Sequence, residues 1–134
     1  MKTKVELDQA WSHEFSFTQK DVNEFAKLTG DTNPLHLDST YAAQTAFKKP
    51  IIHGMLGASV FSKVFGTIFP GPESIYLSQT LDFKKPMFVE TKYEARFLVV
   101  EAIPQKKRFK VKTSIYTQNT SELVLEGEAW LRIR

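Results

Sequence analysis

His53-Gly54-Met55-Leu56-Gly57-Ala58-Ser59-Val60-Phe61-Ser62-Lys63-Val64-Phe65-Gly66-Thr67-Ile68-Phe69 is the most apolar stretch of the chain, and its reading decides the fold. It is too long for one strand, and Pro70-Gly71-Pro72 closes it, so it reads as a long helix. Apolar residues cover most of its circumference, which leaves no polar face for water. Extended back to Ile51, the run still contains His53, Lys63 and three glycines. A membrane span needs about 20 mainly apolar residues with few charges, so no membrane segment is expected. Met1 to Gln19 carries charges throughout and has no apolar run, which excludes a signal peptide. The expectation is a helix buried inside a soluble protein.

Upstream of this helix, His13 to Phe17 alternates like a short strand. Thr18 and Asp21 have capping-box spacing, and Val22, Phe25, Ala26 and Leu28 follow at helical spacing until Gly30. Thr29 to Leu37 mixes Gly, Asp, Asn and Pro and reads as irregular. Asp38 to Ala46 predicts a second short helix capped by Asp38 or Ser39, ended by the Lys48-Lys49-Pro50 break. Downstream, Ser74–Lys84, Thr91–Ile103, Lys107–Gln118 and Glu122–Arg134 read as strands with short, antiparallel connections. The class is therefore α+β. A twisted antiparallel sheet of about five strands wrapped around a long central helix, the hot-dog fold, satisfies both halves of the chain. Such a sheet cannot enclose its helix, and a second copy would cover the remaining apolar face, so a homodimer is expected.

Composition narrows the chemistry. At 134 residues the chain is expected to form one domain over residues 1–134. Hydrophobic residues at 42% and charged residues at 25% exclude a disordered chain. The absence of cysteine excludes a disulfide framework, a thiolate metal site and a cysteine nucleophile, and it fits a cytoplasmic location. A net charge of +3 is weak for a nucleic-acid binder, so no nucleic-acid partner is expected. Eleven phenylalanines point to a large apolar interior, or to an apolar surface hidden by a partner.

Thr29-Gly30-Asp31-Thr32-Asn33-Pro34-Leu35-His36 is the densest polar cluster. Asp31 and His36 are five residues apart and cannot stack on one helix face, but an Asn-Pro turn between them can fold both toward one point. A carboxylate and an imidazole together hold and polarise a water, one taking a proton while the other gives one. Asn33 can orient either. Burial would raise the carboxylate pKa and lower that of the imidazole. Read alone, the run is first an ordinary turn with local hydrogen bonds, the usual use of these residues. Asp31, His36 and His53 offer three metal ligands in principle, but no metal-ligand spacing is present and no metal is expected. Pro50-Ile51-Ile52-His53-Gly54-Met55 enters the long helix, where a free N–H at Gly54 can receive a developing oxyanion. The plainer alternative is that Gly54 and Gly57 permit close packing.

Gly30-Asp31-Thr32-Asn33-Pro34-Leu35-His36 followed by Ala42 or Ala43, then His53-Gly54-Met55 and Ser62, resembles the R-specific enoyl-CoA hydratases, also called hydratase 2 or MaoC-like dehydratases. Ser74-Ile75-Tyr76-Leu77 and Phe83-Lys84-Lys85-Pro86-Met87-Phe88-Val89 match as well, and the resemblance runs from about Phe17 to the C-terminus. It implies a hot-dog homodimer that hydrates trans-2-enoyl-CoA reversibly to (R)-3-hydroxyacyl-CoA. It also implies Asp31 and His36 as the catalytic pair, Gly54 as the thioester-oxygen donor, Asn33 as an orienting residue and Ser62 as support for Asp31. No cofactor is implied beyond the coenzyme A carried by the acyl-thioester substrate.

Within that reading, His53 and Met55 flank the donor and are expected to touch substrate. Lys84 and Lys85, with Lys48 and Lys49, are candidates for the CoA phosphates. Phe61, Phe65 and Phe69 form a helical stripe, and Phe65 with Trp130 in the last strand is expected to line the acyl tunnel and favour short chains. Lys106-Lys107-Arg108-Phe109-Lys110-Val111-Lys112 is read as a solvated strand face with Phe109, Val111, Thr113 and Ile115 turned inward; CoA phosphate attraction is the second reading. An acyl-carrier-protein substrate fits the same chemistry. A thioesterase would need a carboxylate on the long helix, which has none, and a non-catalytic acyl-thioester binder should lack the Asp/His pair. Fatty-acid metabolism and polyhydroxyalkanoate precursor supply both fit.

Overall fold

The computed structural model describes residues 4–134. The long apolar stretch forms α4 (Gly54–Lys63), and its last residues continue as a π-helical turn over Val64–Ile68. His53 is the N-cap of α4, so the helix starts one residue later than expected. No helix among the described residues is long and apolar enough to cross a membrane.

Six strands wrap this rod: β1 (Ala10–Phe15), β2 (Ser74–Gln79), β3 (Asp82–Phe83), β4 (Tyr93–Ile103), β5 (Arg108–Thr117) and β6 (Leu123–Ile133). The antiparallel order is β1-β4-β5-β6-β2, with β3 also pairing β6. The strand beyond the expected five arises because Ser74–Lys84 is broken in two. Thr80 crosses over Gly127 of β6, donating its N–H to the Glu128 carbonyl at 2.9 Å and accepting the Glu128 N–H on Oγ1 at 2.8 Å. A Cβ on Gly127 would lie 1.8 Å from the Thr80 carbonyl oxygen, so only glycine fits beneath this crossing.

The inner sheet face carries the alternating residues Tyr93, Ala95, Phe97 and Val99 of β4, and Phe109, Val111, Thr113 and Ile115 of β5. The inward set expected for the basic run is therefore observed, with its cations on the other side of the strand. Phe61 and Phe65 of the rod meet Phe97 edge-to-face, with ring centroids 5.8 and 5.3 Å apart. Burying one such ring contributes about 1.5–3 kcal/mol. Phe69, half-buried, packs edge-on against Trp11 at 4.6 Å. The phenylalanine stripe, Phe65 included, thus packs against the sheet in the core of the chain. Trp130 alternates with the buried Ala129 and Leu131, so it faces outward, opposite Lys110 and Ser78.

The N-terminal helices follow from local chemistry. In α1 (Gln19–Thr29) both capping-box bonds are present: Asp21 N–H to Thr18 Oγ1 at 3.1 Å and Thr18 N–H to Asp21 Oδ2 at 2.9 Å. Gly30 ends the helix at φ 81°, its N–H donating to the Ala26 carbonyl. The segment expected to be irregular contains one helical turn, α2 (Pro34–Leu37), because Asn33 Oδ1 accepts the Leu35 N–H at 3.0 Å and Pro34 fits the first helical position. Asp38 caps α3 (Ser39–Ala43), accepting from the N–H groups of Thr40 and Tyr41.

Candidate active site

Helix α2 and the short segment before α4 are laced together. His36 Nδ1–H donates to the Ile51 carbonyl at 2.8 Å, the Ile51 N–H donates to the Leu35 carbonyl at 3.2 Å, and the Gln19 side-chain amide donates to the His36 carbonyl at 2.9 Å. Because a carbonyl only accepts, Nδ1 of His36 carries a proton, and Nε2 is the ring nitrogen left for chemistry. His53 Nε2–H donates to the main-chain carbonyl of Asp31 at 2.9 Å. The rings of His36 and His53 stack with centroids 3.9 Å apart.

A carboxylate oxygen of Asp31 and a ring nitrogen of each histidine consequently lie within 4.8 Å of one another. A water making bonds of about 2.8 Å to two such atoms subtends an angle of up to about 120°, an ordinary hydrogen-bond arrangement. The same three side chains do not fit a shared metal ion. Imidazole lone pairs lie in the ring plane, and these two planes are only 27° apart. An ion about 2.1 Å from one nitrogen in its plane therefore lies well out of plane for the other.

These groups border a cavity of about 490 Å³ that also reaches Gly54, Met55, Phe83, Lys84 and Lys85. Gly54 is the first residue of α4, its helix has no side-chain cap, and no protein group among the described residues accepts its N–H. Unsatisfied donors and the helix dipole make this point attractive to negative charge. The Phe83 ring lies against it: a Cβ on Gly54 would stand 2.6 Å from Phe83 Cε1. Phe83, half exposed on β3, opens the Phe83–Val89 stretch that carries the resemblance, but as a strand phenylalanine it reads as packing rather than as a site residue.

Lys84 is paired with Asp82 at 2.7 Å and Lys85 with Glu122 at 3.1 Å. The hydrogen bond to Asp82 and its charge hold the Lys84 ammonium above its ordinary range. Both pairs are solvent-exposed and therefore weak, so an incoming phosphate can compete for these cations. Lys49 instead lies over the Phe88 ring at 4.5 Å.

One chain by itself leaves three expectations unmet. Ser62 is exposed on α4, about 12 Å along the axis from Gly54, and makes no hydrogen bond to Asp31. The Asp31 carboxylate instead accepts the Asn33 N–H at 3.4 Å, so Asn33 orients Asp31 through its backbone and caps α2 with its side chain. Asp31 is exposed and His36 half-buried, so the enclosure expected around the pair is not supplied by one chain. Phe65 and Trp130 do not line the cavity.

An antiparallel sheet wrapped around a central helix has direct counterparts. The MaoC like domain family matches residues 2–122. The chain belongs to the MaoC-like family. It is 44% identical over 117 residues to the (R)-specific enoyl-CoA hydratase of Aeromonas caviae, covering 87% of each chain. It is 39% identical over 116 residues to a 3-hydroxybutyryl-CoA dehydratase of Methylorubrum extorquens, covering 87% of this chain and 73% of that one. The solved (R)-hydratase from A. caviae involved in PHA biosynthesis superposes with a TM-score of 0.92 at 42% identity, covering 97% of this chain and 98% of that one. Among MaoC-like proteins this hot-dog architecture is therefore shared at high structural similarity.

Proposed function

We propose that the protein hydrates trans-2-enoyl-CoA reversibly to (R)-3-hydroxyacyl-CoA. The observation that carries this reading is the convergence of Asp31, His36 and the unpaired Gly54 N–H on one cavity, in a chain so similar to (R)-specific hydratases. Hydration adds oxygen to C3 and a proton to C2, and negative charge gathers on the thioester oxygen as the enolate forms. The Gly54 N–H, at the positive end of α4, stabilises that charge; removing one such donor typically costs about 100- to 1,000-fold in turnover. Asp31 takes the proton from the attacking water. His36, holding Nδ1–H against Ile51, acts as the imidazolium: its Nε2–H is delivered to C2, and the proton that Asp31 took from the water then returns to Nε2, which restores the pair. The steps draw on these side chains and on the CoA that the substrate carries.

The cavity is open, and Met55 is 59% and Phe83 50% exposed beside it. Large apolar side chains at the mouth of a polar site call for a cover. A second copy of the chain is that cover, and it encloses Asp31 and the acyl group. Lys84 and Lys85, on the cavity wall, are the cations placed for the CoA phosphates. The basic run of β5 belongs to the opposite end of the sheet, where Arg108 pairs with Arg132 rather than with the β6 residues Val124 and Leu125 that line the cavity.

Asp31→Asn and His36→Ala test the assignment. Each should lower crotonyl-CoA turnover by at least about 100-fold, within the range of a lost acid–base group, while melting temperature and dimer mass stay unchanged. A folded variant with near wild-type turnover removes that residue from the mechanism.

A further inference from the structure

His53 is 2% exposed and takes no part in the proton transfers above. Phe25 meets one side of its ring edge-on, with centroids 4.9 Å apart, and His36 stacks on it at 3.9 Å. Its Nε2–H is spent on the Asp31 carbonyl, and its Nδ1 is buried with no partner among the described residues. That pattern fixes the tautomer, because only a proton on Nε2 can satisfy the Asp31 carbonyl. As N-cap of α4, His53 also carries the carbonyl that accepts the N–H groups of Leu56 and Gly57, and its peptide bond supplies the Gly54 N–H.

One buried side chain thus touches the Asp31 backbone and the His36 ring, while its own backbone sets the first turn of α4. We propose that His53 is the positioning residue of this site: its Nε2–H donor and its stacked ring hold Asp31 and His36 in register with the Gly54 N–H. This rests on the hydratase reading of those three groups. With so little exposed surface, His53 has almost nothing to offer a substrate directly. Its lost function should therefore appear in turnover, while substrate affinity stays near that of the wild type. Misplacing a catalytic group by about 1 Å costs on the order of 100-fold, and losing a partner that orients a reacting side chain costs about 10- to 100-fold.

Two variants separate the donor from the ring. His53→Phe fills the same space and keeps the stack on His36 but has no donor. His53→Gln keeps an amide N–H near the position of Nε2 but loses the ring. In steady-state hydration of crotonyl-CoA, His53→Phe should lose about 10- to 100-fold in kcat with KM within about threefold of wild type. His53→Gln should recover at least about fivefold of that loss through its donor. Melting temperature and dimer mass, measured on the same samples, establish that both are folded. A folded His53→Phe with wild-type kcat overturns the proposal, as does a loss confined to KM, or a His53→Gln no faster than His53→Phe. Wild-type turnover no higher than that of Asp31→Asn is a different failure: it overturns the hydratase reading itself, and the positioning role with it.

Discussion

Replacing Gly54 with alanine separates catalysis from folding. The new methyl would stand 2.6, 2.8 and 3.2 Å from Cε1, Cδ1 and Cζ of Phe83. Ordinary carbon–carbon contact begins near about 3.5 Å, so the ring must retreat by roughly 1 Å. Phe83 is 50% exposed and sits on a two-residue strand, so it can swing outward at little cost. Alanine also favours a helix over glycine by up to about 1 kcal/mol, which offsets part of the strain. Net stability should therefore change by less than about 1 kcal/mol, equal to a melting shift of only a few degrees for a chain of this size. Turnover should respond far more strongly. The methyl occupies the approach to the Gly54 N–H, and blocking one oxyanion donor costs about 2.7–4 kcal/mol, or about 100- to 1,000-fold in kcat. The assay is the initial rate of loss of enoyl-CoA absorbance at saturating and limiting substrate, with thermal melting in parallel. Removing the displaced ring in Gly54→Ala/Phe83→Ala should leave turnover low, because the blocked N–H and not the moved ring is at fault. A folded Gly54→Ala with kcat within threefold of wild type, or full recovery in the double variant, refutes the oxyanion role.

Further outcomes follow from packing and charge. Gly127→Ala drives a Cβ to 1.8 Å from the Thr80 carbonyl, a backbone atom that cannot swing aside; the cost should reach about 3 kcal/mol, lowering the melting temperature by roughly 10 °C, and an unchanged melt would contradict the crossing. His13 Nε2 accepts from Lys63 Nζ at 3.2 Å, and burial, then the Lys63 charge, lowers the His13 pKa below its ordinary 6.5. Above pH 6.5 the ring is neutral in both states; as the pH falls through that value toward the folded pKa, the unfolded chain takes up the proton first and stability is lost. Denaturant midpoints should accordingly fall less on acidification for His13→Gln than for wild type, and parallel slopes would remove His13 from the acid response. Light scattering should give twice the chain mass, and a monomer with full activity would show that no second copy is needed to close the site.

What was legible in the sequence was local. Thr18, Asp21 and Gly30 carry their own geometry, so the first helix and its ends could be read directly. The apolar run over residues 53–69 could hardly be anything but the central rod, and Asp31, His36 and Gly54 stood out by residue type at the helix entrance. The failures involve partners distant in the chain. The break after Gln79 depends on Gly127 in β6, and nothing near Thr80 announces it. The Phe61–Phe65–Phe69 spacing is the same for a tunnel and for a core; the sheet, through Phe97, makes it core. Ser62 occupies its motif position, yet in this chain Asp31 bonds to Asn33 instead. His53 looked like part of a substrate-contact motif, and its stacking on His36 exists only because the Asn33-Pro34 turn delivers that ring to it.

The most direct measurement is the product of the purified protein on crotonyl-CoA: loss of the enoyl absorbance followed by chiral analysis of the 3-hydroxybutyryl group. The expected result is (R)-3-hydroxybutyryl-CoA, formed reversibly and abolished in Asp31→Asn. An (S)-product, release of free CoA thiol in place of hydration, or no consumption of the enoyl thioester would contradict the account.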